Sequence, residues 1–116
     1  MDIPLTDDPE GQKQIIYLEI GYSAFELLNK LLTLEQEKSL KNILGDDDKE
    51  VVKKHTYVDS LLKRLGQDEL LSAYEGLTLL AEYSSKRGDE GDEDLTKYFQ
   101  VCRDVLEERY MKKNLN

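Results

Sequence analysis

The stretch KQIIYLEIGYSAFELLNKLL, from Lys13 to Leu32, carries two apolar stripes that run side by side at helical spacing. One stripe holds Ile16, Ile20, Ala24, Leu27 and Leu31, and the other holds Ile15, Leu18, Tyr22, Phe25, Leu28 and Leu32. Two adjacent stripes make a wide apolar face, which is typical of a helix buried at the centre of a fold. Gly21 lies inside this helix, and either close packing against a neighbour keeps it there or it has no role.

The rest of the chain also shows helical spacing of apolar residues, and no segment alternates with the period of two that marks a strand. Thr33 with Gln36 fits a capping box that would start a new helix, and Gly45 would end that helix. We therefore predict an all-α, compact bundle of about five helices, approximately 9–32, 34–44, 48–65, 68–87 and 94–113, joined by short loops. Residues 1–8 would be a short ordered or frayed lead-in, and 9–116 would form a single domain.

The composition is strongly acidic, with 25 Asp and Glu against 16 Lys and Arg and a formal net charge of −9. Such a charge repels nucleic-acid backbones and anionic lipid surfaces, so we expect no direct binding to either. The single cysteine excludes a disulfide within the chain, and no signal peptide or membrane-length apolar run is recognisable. These features predict a cytoplasmic protein.

The densest acidic cluster, with five acids in Asp89–Asp94, follows Arg87 and Gly88. Three of the predicted helices are preceded by acids and end with bases. These charges interact favourably with the helix dipole and stabilise the helix by about 0.3–1 kcal/mol per end. We predict a solvated linker whose last acids cap the final helix, with Gly88 ending the helix before it. The spacing does not fit an EF-hand loop, which needs glycine at its sixth position and glutamate at its twelfth. A patch that imitates nucleic-acid phosphates is the alternative interpretation.

Residues that carry chemistry are scarce, because the chain has one histidine and one cysteine and no glycine-rich phosphate loop. His55 and Asp59 are neighbours on one helix face, but Ser60 lies about 100° further round, so the three do not form a catalytic triad. We expect His55 to be partly buried and paired with Asp59, and Cys102 to be a small core residue. The predicted protein is not an enzyme and uses no cofactor or metal.

Seven tyrosines and no tryptophan suggest where a partner would bind, because tyrosine is frequent both at core borders and in interfaces. Tyr17 and Tyr57 lie off the apolar stripes of their helices and are the preferred exposed candidates, with Glu19 and Asp59 as acids at the rim. The predicted partner-binding residues are Asp89, Glu90, Asp92, Glu93, Asp94, Tyr17, Tyr57 and Asp59.

By elimination, the sequence predicts a small acidic, non-enzymatic protein-binding module that regulates, inhibits or chaperones a protein partner, with a basic partner suiting its charge. One alternative is a structural homo-oligomeric subunit, such as a homodimer, that pairs its own wide apolar faces. Another is a nucleic-acid mimic that occupies the basic groove of a partner.

Overall fold

The computed structural model describes residues 9–45 and 48–111, which form four helices and contain no strand. The helices are α1 (Pro9–Ile43), α2 (Lys49–Lys63), α3 (Gln67–Arg87) and α4 (Asp92–Leu106), and α4 continues into a π-helical turn (Glu107–Met111). The predicted all-α class is confirmed for this part of the chain. The predicted lead-in at residues 1–8 and the end of the predicted last helix at 112–113 lie outside the described residues.

The predicted break at Thr33 is wrong, because the helices expected at 9–32 and 34–44 are one helix of 35 residues, α1. The residues around Thr33 include no glycine or proline, so nothing interrupts the backbone hydrogen bonds of the helix. Leu34 is buried as well, which continues the apolar face of Leu31 by another turn. The capping-box pattern of Thr33 and Gln36 permits a helix start but does not impose one, since it acts only where the backbone leaves the helix.

The C-terminal half of α1 pairs with α2, which folds back along it. Gly45 has a φ of 75° and lies just after the end of α1, where the sequence predicted that it would end a helix. Asp48 then caps α2 by accepting a hydrogen bond from the backbone N–H of Glu50 at 3.0 Å, and its carboxylate also binds Lys41 of α1. Asp46 and Asp47, which precede this helix in the sequence, lie outside the described residues. The buried side chains of α2 are Val51, Val58 and Leu62.

α3 crosses α1 at two glycines, Gly21 and Gly76, where the two backbones are in direct contact. A Cβ added to Gly21 would lie 2.6 Å from the carbonyl carbon of Gly76, and a Cβ added to Gly76 would overlap the carbonyl oxygen of Tyr17. No side chain fits at either position without moving a helix. Close packing is therefore the role of Gly21, which its sequence position alone left open.

α4 packs antiparallel on α3, because Ser84 near the end of α3 meets Thr96 near the start of α4, with 2.6 Å between the two hydroxyl oxygens. Further along, the guanidinium of Arg103 lies over the ring of Tyr74, 5.6 Å from its centroid. The most deeply buried side chains come from all four helices and include Leu28, Leu31, Val58, Leu62, Leu77, Cys102 and Leu106. The prediction of Cys102 as a core residue is confirmed. Within the described residues, no helix is both long and apolar enough to cross a membrane.

Candidate functional site

The acidic segment between α3 and α4 folds around one of its own acids. Asp92 is 5% exposed, and its carboxylate accepts two hydrogen bonds from the guanidinium of Arg87, at 2.6 and 2.9 Å, and one from the backbone N–H of Asp89 at 2.8 Å. The Arg87 side chain beside it lowers the pKa of Asp92 from 3.8 to about 2. Asp92 therefore stabilises the turn, and its carboxylate is already occupied.

The predicted capping of the final helix by these acids is wrong. α4 begins after Gly91, whose φ is 88°, and no side-chain hydrogen bond caps this end of the helix within the described residues. Asp92 is the first residue of the helix, so its carboxylate reaches back to Arg87 and not forward to the helix. The prediction that Gly88 ends α3 is confirmed, with a φ of 67°. The remaining acids of the segment are exposed, namely Asp89, Glu90, Glu93 and Asp94.

A polar network joins α1, α2 and the π-helical turn. We call it the C-terminal network, and it comprises Glu35, His55, Asp59, Arg109 and Tyr110. Glu35 of α1 lies 2.9 Å from His55 Nε2 and accepts a hydrogen bond from Arg109 at 2.7 Å. Burial raises the pKa of Glu35, but the hydrogen bonds from Arg109 and His55 outweigh it and lower the pKa overall. The predicted pairing of His55 with Asp59 is therefore wrong, because α1 supplies a closer carboxylate.

Asp59 belongs to the same network through other partners. It accepts a hydrogen bond from the hydroxyl of Tyr110 at 2.7 Å and forms an ion pair with Lys63 at 2.8 Å. Burial raises the pKa of Asp59, while the hydrogen bonds from Lys63 and Tyr110 lower it by more. Asp59, a predicted rim acid, is thus half-buried and engaged in holding α2 to the end of α4.

The two predicted interface tyrosines differ in exposure. Tyr57 is 64% exposed on the outer side of α2, as expected of a surface residue. Tyr17 is half-buried, and its backbone lies against Gly76 at the helix crossing. The predicted residues thus lie on separate elements: the α3–α4 loop with the start of α4, the helix α2, and the N-terminal half of α1.

An open groove that the sequence did not predict lies between the second half of α1 and α4. Its apolar lining consists of Leu32, Leu40, Tyr98 and Val101, and its polar lining consists of Asn29, Thr33, Glu35, Gln36 and Ser39. Leu40 is 62% exposed and Val101 is 47% exposed. Tyr98 donates a hydrogen bond to Asn29 Oδ1 at 2.6 Å, which connects the two walls. Exposed apolar side chains that line one groove are a feature of interaction sites.

The sequence held a weak signal for this groove. Val101 is apolar but lies off the buried stripe of α4, which runs through Phe99, Cys102 and Leu106. Beyond the groove, the apolar surface of α1 continues to the helix end, where Ile43 is 81% and Leu44 is 80% exposed. Both are three or four residues from Leu40 and hence lie on its side of the helix.

The described residues include no group of three or more His, Cys, Asp or Glu side chains placed to hold a metal ion. The lining of the groove offers apolar contacts and hydrogen bonds from neutral side chains, while its carboxylate, Glu35, is held by Arg109 and His55. Comparison of the chain with models of protein families, with curated proteins and with solved structures finds no match in any of the three.

Proposed function

We propose that the chain is a small acidic, cytoplasmic protein-binding module without enzymatic activity, and that a protein partner binds in the groove between α1 and α4. The observation that carries the proposal is the exposure of Leu40 and Val101 beside a well-packed core. When a partner covers large apolar side chains that are exposed to solvent, their burial stabilises the complex. A regulator, inhibitor or chaperone requires such a surface and requires no reactive group.

The state of the reactive residues supports the non-enzymatic part of the proposal. His55 is paired with Glu35, which is itself bound by Arg109. Burial raises the pKa of the Cys102 thiol to about 12, so the thiolate that a nucleophile needs is scarce near neutral pH. Asp92, with its lowered pKa, is bound by Arg87. His55, Cys102 and Asp92 thus have packing or pairing roles.

The test uses the tagged protein as bait in a lysate of its source organism, with bound proteins identified by mass spectrometry. The groove variant combines Leu40→Asp and Val101→Asp. The matched control combines Leu71→Asp and Tyr83→Asp, which are exposed apolar residues of α3 outside the groove. We expect a stoichiometric partner to bind the wild type and the control and to be lost from the groove variant. Equal binding by all three proteins would overturn the groove as the site.

A second candidate function is the structural homo-oligomer, and the exposed end of α1 favours it. Ile43 and Leu44 are more exposed than any other large apolar residues described, and they adjoin Leu40. Pairing of this end with a second copy would bury all three side chains. Light scattering after size exclusion separates the candidates: a dimer that dissociates in Ile43→Asp supports the oligomer, and a monomer at all concentrations opposes it.

The nucleic-acid mimic is less favoured, since Arg87 occupies one of the five carboxylates of its proposed patch. Three exposed acids outside the groove can be neutralised together as Asp89→Asn, Glu90→Gln and Glu93→Gln. A mimic would lose its partner in this variant, and a partner bound mainly by the apolar groove would stay. The same lysate experiment compares the two outcomes.

A further inference from the structure

The shape of the groove suits a helix. Its lining residues on α1 run from Asn29 to Leu40, which corresponds to about 16 Å along the helix axis, or three helical turns. Leu32 and Leu40 are two turns apart on that wall, and Val101 lies on the opposite wall. A helix with apolar residues at i, i+3 or i+4, and i+7 would place one side chain against each of these contacts.

The α4 wall of this groove is negatively charged. Asp94 and Asp104 are seven residues before and three residues after Val101, so they lie on its side of the helix, and both are exposed. Asp94 forms no ion pair within the described residues, and Asp104 forms an ion pair with its neighbour Arg103 at 3.7 Å. Lys97 lies on the same side but is paired with Glu93 at 3.4 Å. The wall therefore presents the unpaired carboxylate of Asp94 and the exposed carboxylate of Asp104, which has a long ion pair with Arg103, beside apolar surface.

The α1 wall lacks this bias. Glu26 lies one turn before Asn29, and Lys30 follows directly after it, so an acid and a base flank the groove there. Glu35, further along, is neutralised by Arg109. A partner thus meets one acidic wall and one balanced wall, and the net charge of −9 on the whole chain attracts a basic partner from a distance.

We infer that the groove takes an amphipathic α-helix of a protein partner, whose apolar stripe contacts Leu40 and Val101 and whose lysines or arginines face Asp94 and Asp104. The inference rests on the proposed function and adds the chemistry of the partner. In this arrangement, the apolar residues of the partner helix lie at the bottom of the groove, and its basic residues lie along α4.

The first part of the test measures whether the groove recognises an amphipathic helix. The probes are fluorescein-labelled peptides of about 18 residues: a leucine–lysine peptide with helical periodicity, and an isomer of the same composition whose leucines are scrambled. We expect the periodic peptide to bind the wild type about tenfold more tightly than the scrambled isomer, as measured by fluorescence anisotropy. The Leu40→Asp, Val101→Asp variant should remove that preference. Equal binding of both peptides would overturn the inference, because charge alone would then explain it.

The second part measures the charge preference with a leucine–glutamate peptide of the same periodicity. The variant Asp94→Lys, Asp104→Lys should weaken the leucine–lysine peptide about tenfold and strengthen the leucine–glutamate peptide. The matched control is Glu19→Lys, Glu75→Lys, which makes the same change of net charge at exposed positions outside the groove. Equal effects of both variants would overturn the inference. Circular dichroism verifies that each variant is folded.

The two proposals fail in distinguishable ways. If the lysate partner is lost from the groove variant while the peptides show no preference for basic residues, the proposed function stands and the basic helix is wrong. If light scattering instead reveals a dimer that Val101→Asp dissociates, a second copy of this chain occupies the groove and the inference is overturned. If neither the partner nor the peptides depend on Leu40 and Val101, both proposals are wrong.

Discussion

Gly76 of α3 lies so close to Gly21 of α1 that a Cβ added to Gly76 would be 2.8 Å from the Gly21 Cα. We predict that Gly76→Ala destabilises the fold, although alanine in an open helix would gain about 1 kcal/mol over glycine. Overpacking at the crossing should outweigh that gain and cost about 1–3 kcal/mol in the free energy of unfolding. Urea denaturation followed by circular dichroism measures the difference.

The control for this prediction is Gly66→Ala at the N-cap of α3. A Cβ there would meet only Glu69 Oε1, at 3.6 Å, which is an ordinary contact. The expected change is below about 1 kcal/mol. If the two substitutions cost the same, the close approach of α1 and α3 does not determine stability.

Asp92→Asn tests whether the occupied carboxylate holds the α3–α4 turn. The substitution removes the charge that Arg87 binds, and we expect Tm to fall by about 5 °C at neutral pH. The pKa of Asp92 is lowered from 3.8 to about 2, so its stabilising contribution is complete above pH 3.8 and declines as the pH falls towards 2. The Tm difference between wild type and variant should therefore shrink below pH 3.8. Asp94→Asn, in the same helical turn but exposed, should leave Tm nearly unchanged, and a difference that is constant with pH would refute the assignment.

Tyr110→Phe removes the hydrogen bond to Asp59 in the C-terminal network. A hydrogen bond to a charged group contributes about 1.5–3 kcal/mol, and we expect a loss at the lower end of that range because Asp59 keeps Lys63. Burial and the hydrogen bond to Asp59 raise the pKa of Tyr110 above its ordinary value of 10.0, so wild type should lose this stabilisation as the pH rises above 10. Tyr57→Phe on the exposed face of α2 is the control, with an expected change within about 0.5 kcal/mol.

Cys102 should be unreactive in the folded protein. Its pKa is raised from 9.0 to about 12 by burial, so near pH 8 the thiolate fraction falls roughly a thousandfold relative to an ordinary thiol. We expect a disulfide reagent such as DTNB to label the native protein very slowly and the urea-unfolded protein at once. Rapid labelling of the native protein would show that the core opens around α4.

The accuracy of the sequence predictions depended on how local the physical cause is. The positive φ angles of Gly45 and Gly88 end helices without help from distant residues, and both were predictable. The continuity of α1 through Thr33 was not, because a local capping pattern competes there with burial of Leu34 in the assembled core. The partner of His55 was also out of reach, since Glu35 is 20 residues away on another helix.

The groove shows the same limit of prediction from a local sequence pattern. A helical pattern indicates which residues share a face, and it identified the buried stripe of α4 through Phe99 and Leu106. It does not indicate which further apolar residues remain uncovered once the helices have packed. The exposure of Leu40 and Val101 follows from the separation of α1 and α4, which both rest on α3.

The C-terminal network also has a consequence for the order in which the chain folds. Its bonds join Arg109 to Glu35 across 74 residues and Tyr110 to Asp59 across 51, whereas the Ser84–Thr96 contact between α3 and α4 spans 12. Bringing the ends of a long segment together costs conformational entropy before any contact forms. We therefore expect the helical pairs to assemble first and the network last. Tyr110→Phe should then accelerate unfolding in stopped-flow experiments and leave the folding rate unchanged, which is the kinetic signature of an interaction made after the transition state.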